Sequence, residues 1–106
     1  MTDGGSETAQ DRAQAVAARD RLLVVQQRWK RAIAAVLVAL RTDTQLEQEE
    51  VAAGLGIHRN LVGRTERGKR DMTLIELALF ARVVKRSPAE IIELMSDWAM
   101  RSGDSR

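Results

Sequence analysis

Apolar residues recur at helical spacing along nearly the whole chain and almost nowhere alternate. From Asp11 to Arg41 there is no Gly or Pro, and Ala, Arg, Gln and Leu dominate, a composition of strong helix formers. Leu22, Val25, Trp29, Ile33, Val36 and Leu40 form one stripe there, which predicts a long first helix with that face turned to the core. Val51, Leu55, Ile57 and Val62 then give two short helices a shared inner face. Ala52 is small where those helices cross, and Gly56 sits at the turn, where a positive φ costs it nothing. The second short helix is predicted over 59–67, closed by Gly68. Thr73-Leu-Ile-Glu76 is a capping box, so a fourth helix starts after Thr73 and runs to about Lys85. Ile75, Leu77, Ala78, Phe80, Ala81 and Val84 are its expected apolar face. Ser87-Pro-Ala-Glu90 is a second capping box with Pro88 at the first helical position. It opens a fifth helix striped by Ile91, Met95 and Trp98.

The fold expected is therefore all-α, with five helices. A polar tail over 1–10, containing Gly4-Gly5, is expected to be disordered. A helical extension follows over 11–28, the main domain over 29–100, and a polar tail over 101–106. The chain is 44% hydrophobic but only 3% aromatic, so the core must be aliphatic. The longest apolar run, Ala32 to Leu40, is nine residues and cannot span a bilayer. Met1–Gln10 is too polar for a signal peptide. These features lead to the expectation of a cytoplasmic protein without membrane contact.

Catalytic chemistry has little to work with. Cys and Tyr are absent, His58 is the single histidine, and no glycine-rich phosphate loop is present. No enzyme activity, cofactor, metal site or small-molecule ligand is expected. His58, just before the third helix, reads as a capping or surface residue. Charge is more informative. Net charge is only +2, yet His58–Arg70 holds five cations (Arg59, Arg64, Arg67, Lys69, Arg70) against one acid, Glu66. This stretch alone is +4. Charge by itself is equally a solvated helix face. On the second helix of a helix-turn-helix it points to double-stranded DNA.

Such second helices enter the major groove by their N-terminal residues. Arg59 and Asn60 lie at that end, away from Val62; arginine can pair bidentately with guanine and asparagine with adenine. Gly63 and Arg64 come next on the exposed face. Gly63 is an unfavourable helix residue, explained either by close approach to DNA or by a tight contact with the preceding helix. Lys69 is placed as a phosphate partner.

Gln48, Val51-Ala52, Leu55-Gly56-Ile57, Val62 and Glu66-Arg67-Gly68 together resemble the helix-turn-helix (48–68) of the Cro/phage-repressor, or XRE-like, transcriptional regulators. The similarity continues through Lys69 to about Ile92. HRNLVGRTERGKRDMTL is most similar to the short controller proteins of restriction-modification systems. The resemblance implies a five-helix phage-repressor-like domain. It also implies base contacts from Arg59, Asn60 and Arg70, a phosphate contact from Gln48, and an Arg41–Glu66 ion pair that orients the third helix. Two positions depart from the pattern. Thr65 replaces a larger apolar residue, which implies looser packing, and Glu47 and Glu49 bring negative charge near the phosphate path.

The expected function is sequence-specific transcriptional regulation, as repressor or activator, by a homodimer on a two-fold operator. One small domain covers too little DNA for tight selective binding. Ile91, Met95 and Trp98 are interface candidates, although Trp98 could equally complete the monomer core. The extension either projects into solvent or packs on a partner through Val16, Leu22, Leu23 and Val24. In the alternative function that partner is another protein, as for an antitoxin that represses its own promoter.

Overall fold

The computed structural model describes residues 8–104. Five helices follow in order: α1 (Ala9–Asp43), α2 (Gln48–Leu55), α3 (Arg59–Glu66), α4 (Leu74–Val84) and α5 (Pro88–Asp104). Among the described residues there is no strand. Most of the expected disordered tail lies outside the described residues; its last two residues, Ala9 and Gln10, open α1. Thr8 starts that helix with a capping box, its Oγ1 accepting from the Asp11 N–H at 3.1 Å while Asp11 Oδ2 accepts from the Thr8 N–H at 3.2 Å. α5 likewise continues past Arg101 into the expected C-terminal tail.

Local chemistry marks the remaining boundaries. Gly56 ends α2 at φ +69°, and Gly68 follows α3 at φ +73°, both left-handed positions where a Cβ would be strained. Thr73 and Glu76 exchange both capping-box bonds at the start of α4. Ser87 and Glu90 do the same at the start of α5.

Phe80, Leu37, Ile91, Val51 and Val62 are the large, fully buried side chains at the centre. The C-terminal half of α1 contributes Ala32, Val36, Leu37 and Leu40 to this core. α5 runs back alongside it: Arg86 lies 3.9 Å from Asp43 at one end, while Trp98 and Arg101 share a groove with Ala35 farther along. This pairing uses up the stripe of α5. Ile91 and Met95, expected at a dimer interface, are core residues of the monomer, because the period-3.6 face they define is the one pressed on the rest of the domain. Trp98 packs partly buried against the same core.

Two other expectations about faces are corrected. Leu22 and Val25 continue the core-facing stripe of α1 but are exposed, since the domain ends near Trp29 and the helix does not. At 1.5 Å per residue α1 is about 52 Å long, which accounts for the 60 Å longest dimension of the molecule. On α4, Leu77, Phe80, Ala81 and Val84 are buried. Ile75 is 74% exposed because it lies on the far side of the helix from that quartet, and Ala78 falls outside it as well.

Among the described residues, no helix is long and apolar enough to cross a membrane, and no group of three or more His, Asp or Glu side chains converges on one point.

Candidate nucleic-acid interface

α3 has two unlike faces. Its N-terminus is capped by His58, whose Nδ1 accepts from the Asn60 N–H at 3.0 Å. This satisfies one of the orphan amides of the first turn. Val62 and Thr65 turn inward and are buried, whereas Gly63, expected on the exposed face, is buried beneath the side chains of Arg67 and Gln48. Arg59, Asn60, Arg64 and Arg67 turn outward and are exposed. With Gln48 from α2, and with Gly63 as its floor, these four line one open depression.

Glu66, the one acid of this stretch, is held inside. Arg41 grips it with a fork: Nε donates to Oε2 at 2.6 Å and Nη2 to Oε1 at 3.1 Å. Gln48 Nε2 adds a third bond to Oε1 at 2.8 Å. Arg41 Nη1 also donates to the Leu46 carbonyl at 2.9 Å. One carboxylate thus joins the end of α1, the start of α2 and the end of α3. The hydrogen bonds to Glu66 raise the Arg41 pKa further above its usual range. The side chains are 16% and 6% exposed, so this is a largely buried, charge-assisted bidentate pair. Gln48, expected at a phosphate, spends one amide hydrogen on this bond, and among the described residues the second has no partner.

Arg70 is placed differently from the expectation that it reads a base. Its guanidinium is committed to Glu76, with Nη1 to Oε1 at 3.0 Å and Nη2 to Oε2 at 2.7 Å. Nη1 also reaches Thr65 Oγ1 at 3.3 Å. Arg70, and then the Thr73 amide, hold the Glu76 carboxyl below its ordinary 4.5, against the opposing effect of burial. Thr65 is only 2% exposed, and its hydroxyl donates to the Leu61 carbonyl at 2.8 Å. The expected looseness at this position is absent, because a satisfied hydroxyl occupies it. Sequence reasoning missed this second clasp. Its signal was the capping-box glutamate, which has a second carboxylate oxygen to offer an arginine six residues before it.

The two clasps sort the charges. Among the described residues, Arg59, Arg64, Arg67 and Lys69 form no ion pair, while Glu66 and Arg70 are each neutralised internally. The outer surface of α3 and its exit therefore carry uncompensated positive charge on a rigid base. Glu47 and Glu49, with Arg41, Gln48 and Arg59, line an adjoining depression, so Arg59 stands between the basic surface and the acidic start of α2.

Gly63 has an explanation within the fold. A Cβ there would meet Arg67 Nη1 at 3.2 Å and the Gln48 amide at 3.8–3.9 Å. The glycine lets Arg67 and Gln48 close over α3. Gly54, which drew no attention in the sequence, is under a harder restriction: a Cβ on it would overlap Val83 Cγ2.

Comparison with known proteins bears on this geometry. Residues 32–94, more than half of the chain, match the sequence profile of the family described as "Helix-turn-helix domain". No curated protein matches the chain. Among solved structures, the fold is similar to that of the clp gene regulator ClgR from Corynebacterium glutamicum. The TM-score is 0.64 at 20% identity, over 71% of this chain and 81% of that one.

Proposed function

The chain belongs to the helix-turn-helix domain family, and on that premise we propose that it is a sequence-specific DNA-binding transcriptional regulator that acts as a homodimer. One observation carries the reading. Among the described residues, the exposed face of the motif's second helix and its exit present Arg59, Arg64, Arg67 and Lys69 in no ion pair, while the single acid among them is turned inward.

In this reading the N-terminal half of α3 lies in the major groove. Arg59 reads guanine, Asn60 reads adenine, and Arg64 reaches the next base edge. Lys69, Arg67 and the free amide hydrogen of Gln48 hold phosphates and set the register. Arg70 keeps the α3–α4 connection in place and makes no base contact. A two-fold pair would set two copies of α3 about 34 Å apart, one turn of DNA.

The test is binding to DNA from upstream of the chain's own gene and to a shuffled duplex, across a salt series, with Arg59→Ala alongside the wild type. The expected wild-type result is selective binding that weakens with salt, as counterion release requires. Arg59→Ala should lose about 1–3 kcal/mol of discrimination with little change on the shuffled duplex. Equal loss on both duplexes would move Arg59 to a phosphate. Wild-type binding that never discriminates would contradict the reading.

A further inference from the structure

Arg59 borders two unlike environments. On one side it shares the basic depression over α3 with Asn60, Arg64 and Arg67. On the other it closes the depression that Arg41, Glu47, Gln48 and Glu49 form at the start of α2. Most groups on this second side are already committed. Arg41 directs its fork at Glu66, and Gln48 spends an amide hydrogen on the same carboxylate. Glu50 Oε1 accepts from the Glu47 N–H at 2.8 Å. Glu47, at the N-cap of α2, acts on Arg41: that guanidinium is held above its usual pKa chiefly by its hydrogen bonds to Glu66, and Glu47 adds a smaller Coulombic part. Glu49 and Arg59 are left. Both are exposed, and neither is in an ion pair among the described residues.

We propose that Glu49 is a positioning residue for Arg59: on DNA its carboxylate takes one edge of the guanidinium and leaves the other turned to a guanine. The inference rests on the base-reading role proposed above for Arg59 and adds the group that aims it. A guanidinium is planar and carries N–H donors along more than one edge. The side edge, Nε with one Nη, can serve a carboxylate while the end, both Nη, reaches guanine O6 and N7. Arg41 already divides its donors in this manner, between Glu66 and the Leu46 carbonyl.

Two physical effects follow from such a pair. An exposed arginine loses rotamer freedom when it binds, and a carboxylate that restricts it beforehand lowers that cost. Charge supplies the second effect. Glu49 adjoins Gln48, which is placed at a phosphate, so an unpaired carboxylate there would repel the DNA backbone. Paired with Arg59, it is neutralised. On a wrong sequence Arg59 stays with Glu49 and exchanges no carboxylate for a phosphate, so non-specific binding gains little from it. On the right one its outer edge adds the guanine contact.

The test is a double-mutant cycle on the full chain: wild type, Glu49→Gln, Arg59→Ala and both together, each titrated with the upstream and the shuffled duplex across a salt series. Glu49→Gln should lower the discrimination between the duplexes by roughly two- to fivefold, the scale of an exposed charge pair. It should also steepen the salt dependence on the shuffled duplex by about one phosphate contact, as Arg59 is released to the backbone. In the Arg59→Ala background both effects should vanish. Glutamine is a helix former comparable to glutamate and position 49 is exposed, so helical circular dichroism should stay at the wild-type level. Glu49→Gln that strengthens binding to both duplexes by one factor, or that acts alike with and without Arg59, would overturn the positioning role and leave Arg59 as the reader. A wild type that never discriminates would overturn the base-reading role and this inference with it.

Discussion

The two faces of α3 have the same length and the same backbone, yet they are held in opposite ways. On the inner side, every polar group that could weaken the packing is matched. Glu66 has Arg41 and Gln48, Thr65 has Leu61 and Arg70, and Arg70 has Glu76. On the outer side Arg59, Arg64, Arg67 and Lys69 form no ion pair among the described residues. The contrast separates two jobs. The clasps fix where the helix points, and the free side chains retain the hydrogen-bonding capacity that a ligand needs. Changes inside should therefore appear as lost stability, and changes outside as lost binding at unchanged stability.

The strongest way to break this division is Arg41→Ala. It leaves Glu66 buried with Gln48 as its one remaining side-chain donor, and losing one partner of a buried pair is far more damaging than replacing both. Chemical denaturation should show a loss of about 3 kcal/mol. Arg59→Ala on the outer face should stay within about 0.5 kcal/mol of wild type.

Acid should loosen the second clasp. The Glu76 carboxyl is depressed below 4.5, chiefly by Arg70. Its folded form thus binds a proton less readily than its unfolded form. That contribution to stability is complete above the ordinary value and disappears as pH falls through the lower folded one. Glu76→Gln should be less stable than wild type at neutral pH, and the gap should narrow in acid. A gap independent of pH would show that the carboxylate charge contributes nothing.

The smallest expected effects come from two glycines and sharpen the comparison. Gly54→Ala pushes a methyl into Val83, a β-branched side chain with little rotamer freedom in a helix. It should lower the unfolding free energy by about 1–2 kcal/mol, despite the better helix propensity of alanine. Gly63→Ala is tight only against the flexible end of Arg67, the Gln48 amide lying at ordinary contact distance. It should leave stability unchanged or raise it by about 0.5–1 kcal/mol, while displacing Arg67 and weakening DNA binding.

Local signals made much of this fold legible in the sequence. The capping boxes at Thr73–Glu76 and Ser87–Glu90, the left-handed glycine at Gly56 and the inner face Val51, Leu55, Val62 are short-range features, and the structure shows each of them. What escaped was tertiary. Ile91 and Met95 form a stripe whichever surface covers it, so periodicity could not tell the monomer core from a dimer interface. Leu22 and Val25 follow the same stripe as Val36 and Leu40, and only the end of the domain near Trp29 separates the two pairs. Arg70 carries the same charge whether it faces DNA or Glu76. Its place was decided by a carboxylate brought within reach by the turn at Gly68.

The most direct test of the central claim is an NMR titration of backbone and arginine side-chain resonances with a duplex from upstream of the gene. The account predicts that the largest shifts cluster at Gln48, Arg59–Arg67 and Lys69, while the Nε resonance of Arg41 and the Nη resonances of Arg70 keep the signature of their internal ion pairs. Shifts confined to the α1 arm or to α5, with α3 unmoved, would contradict it.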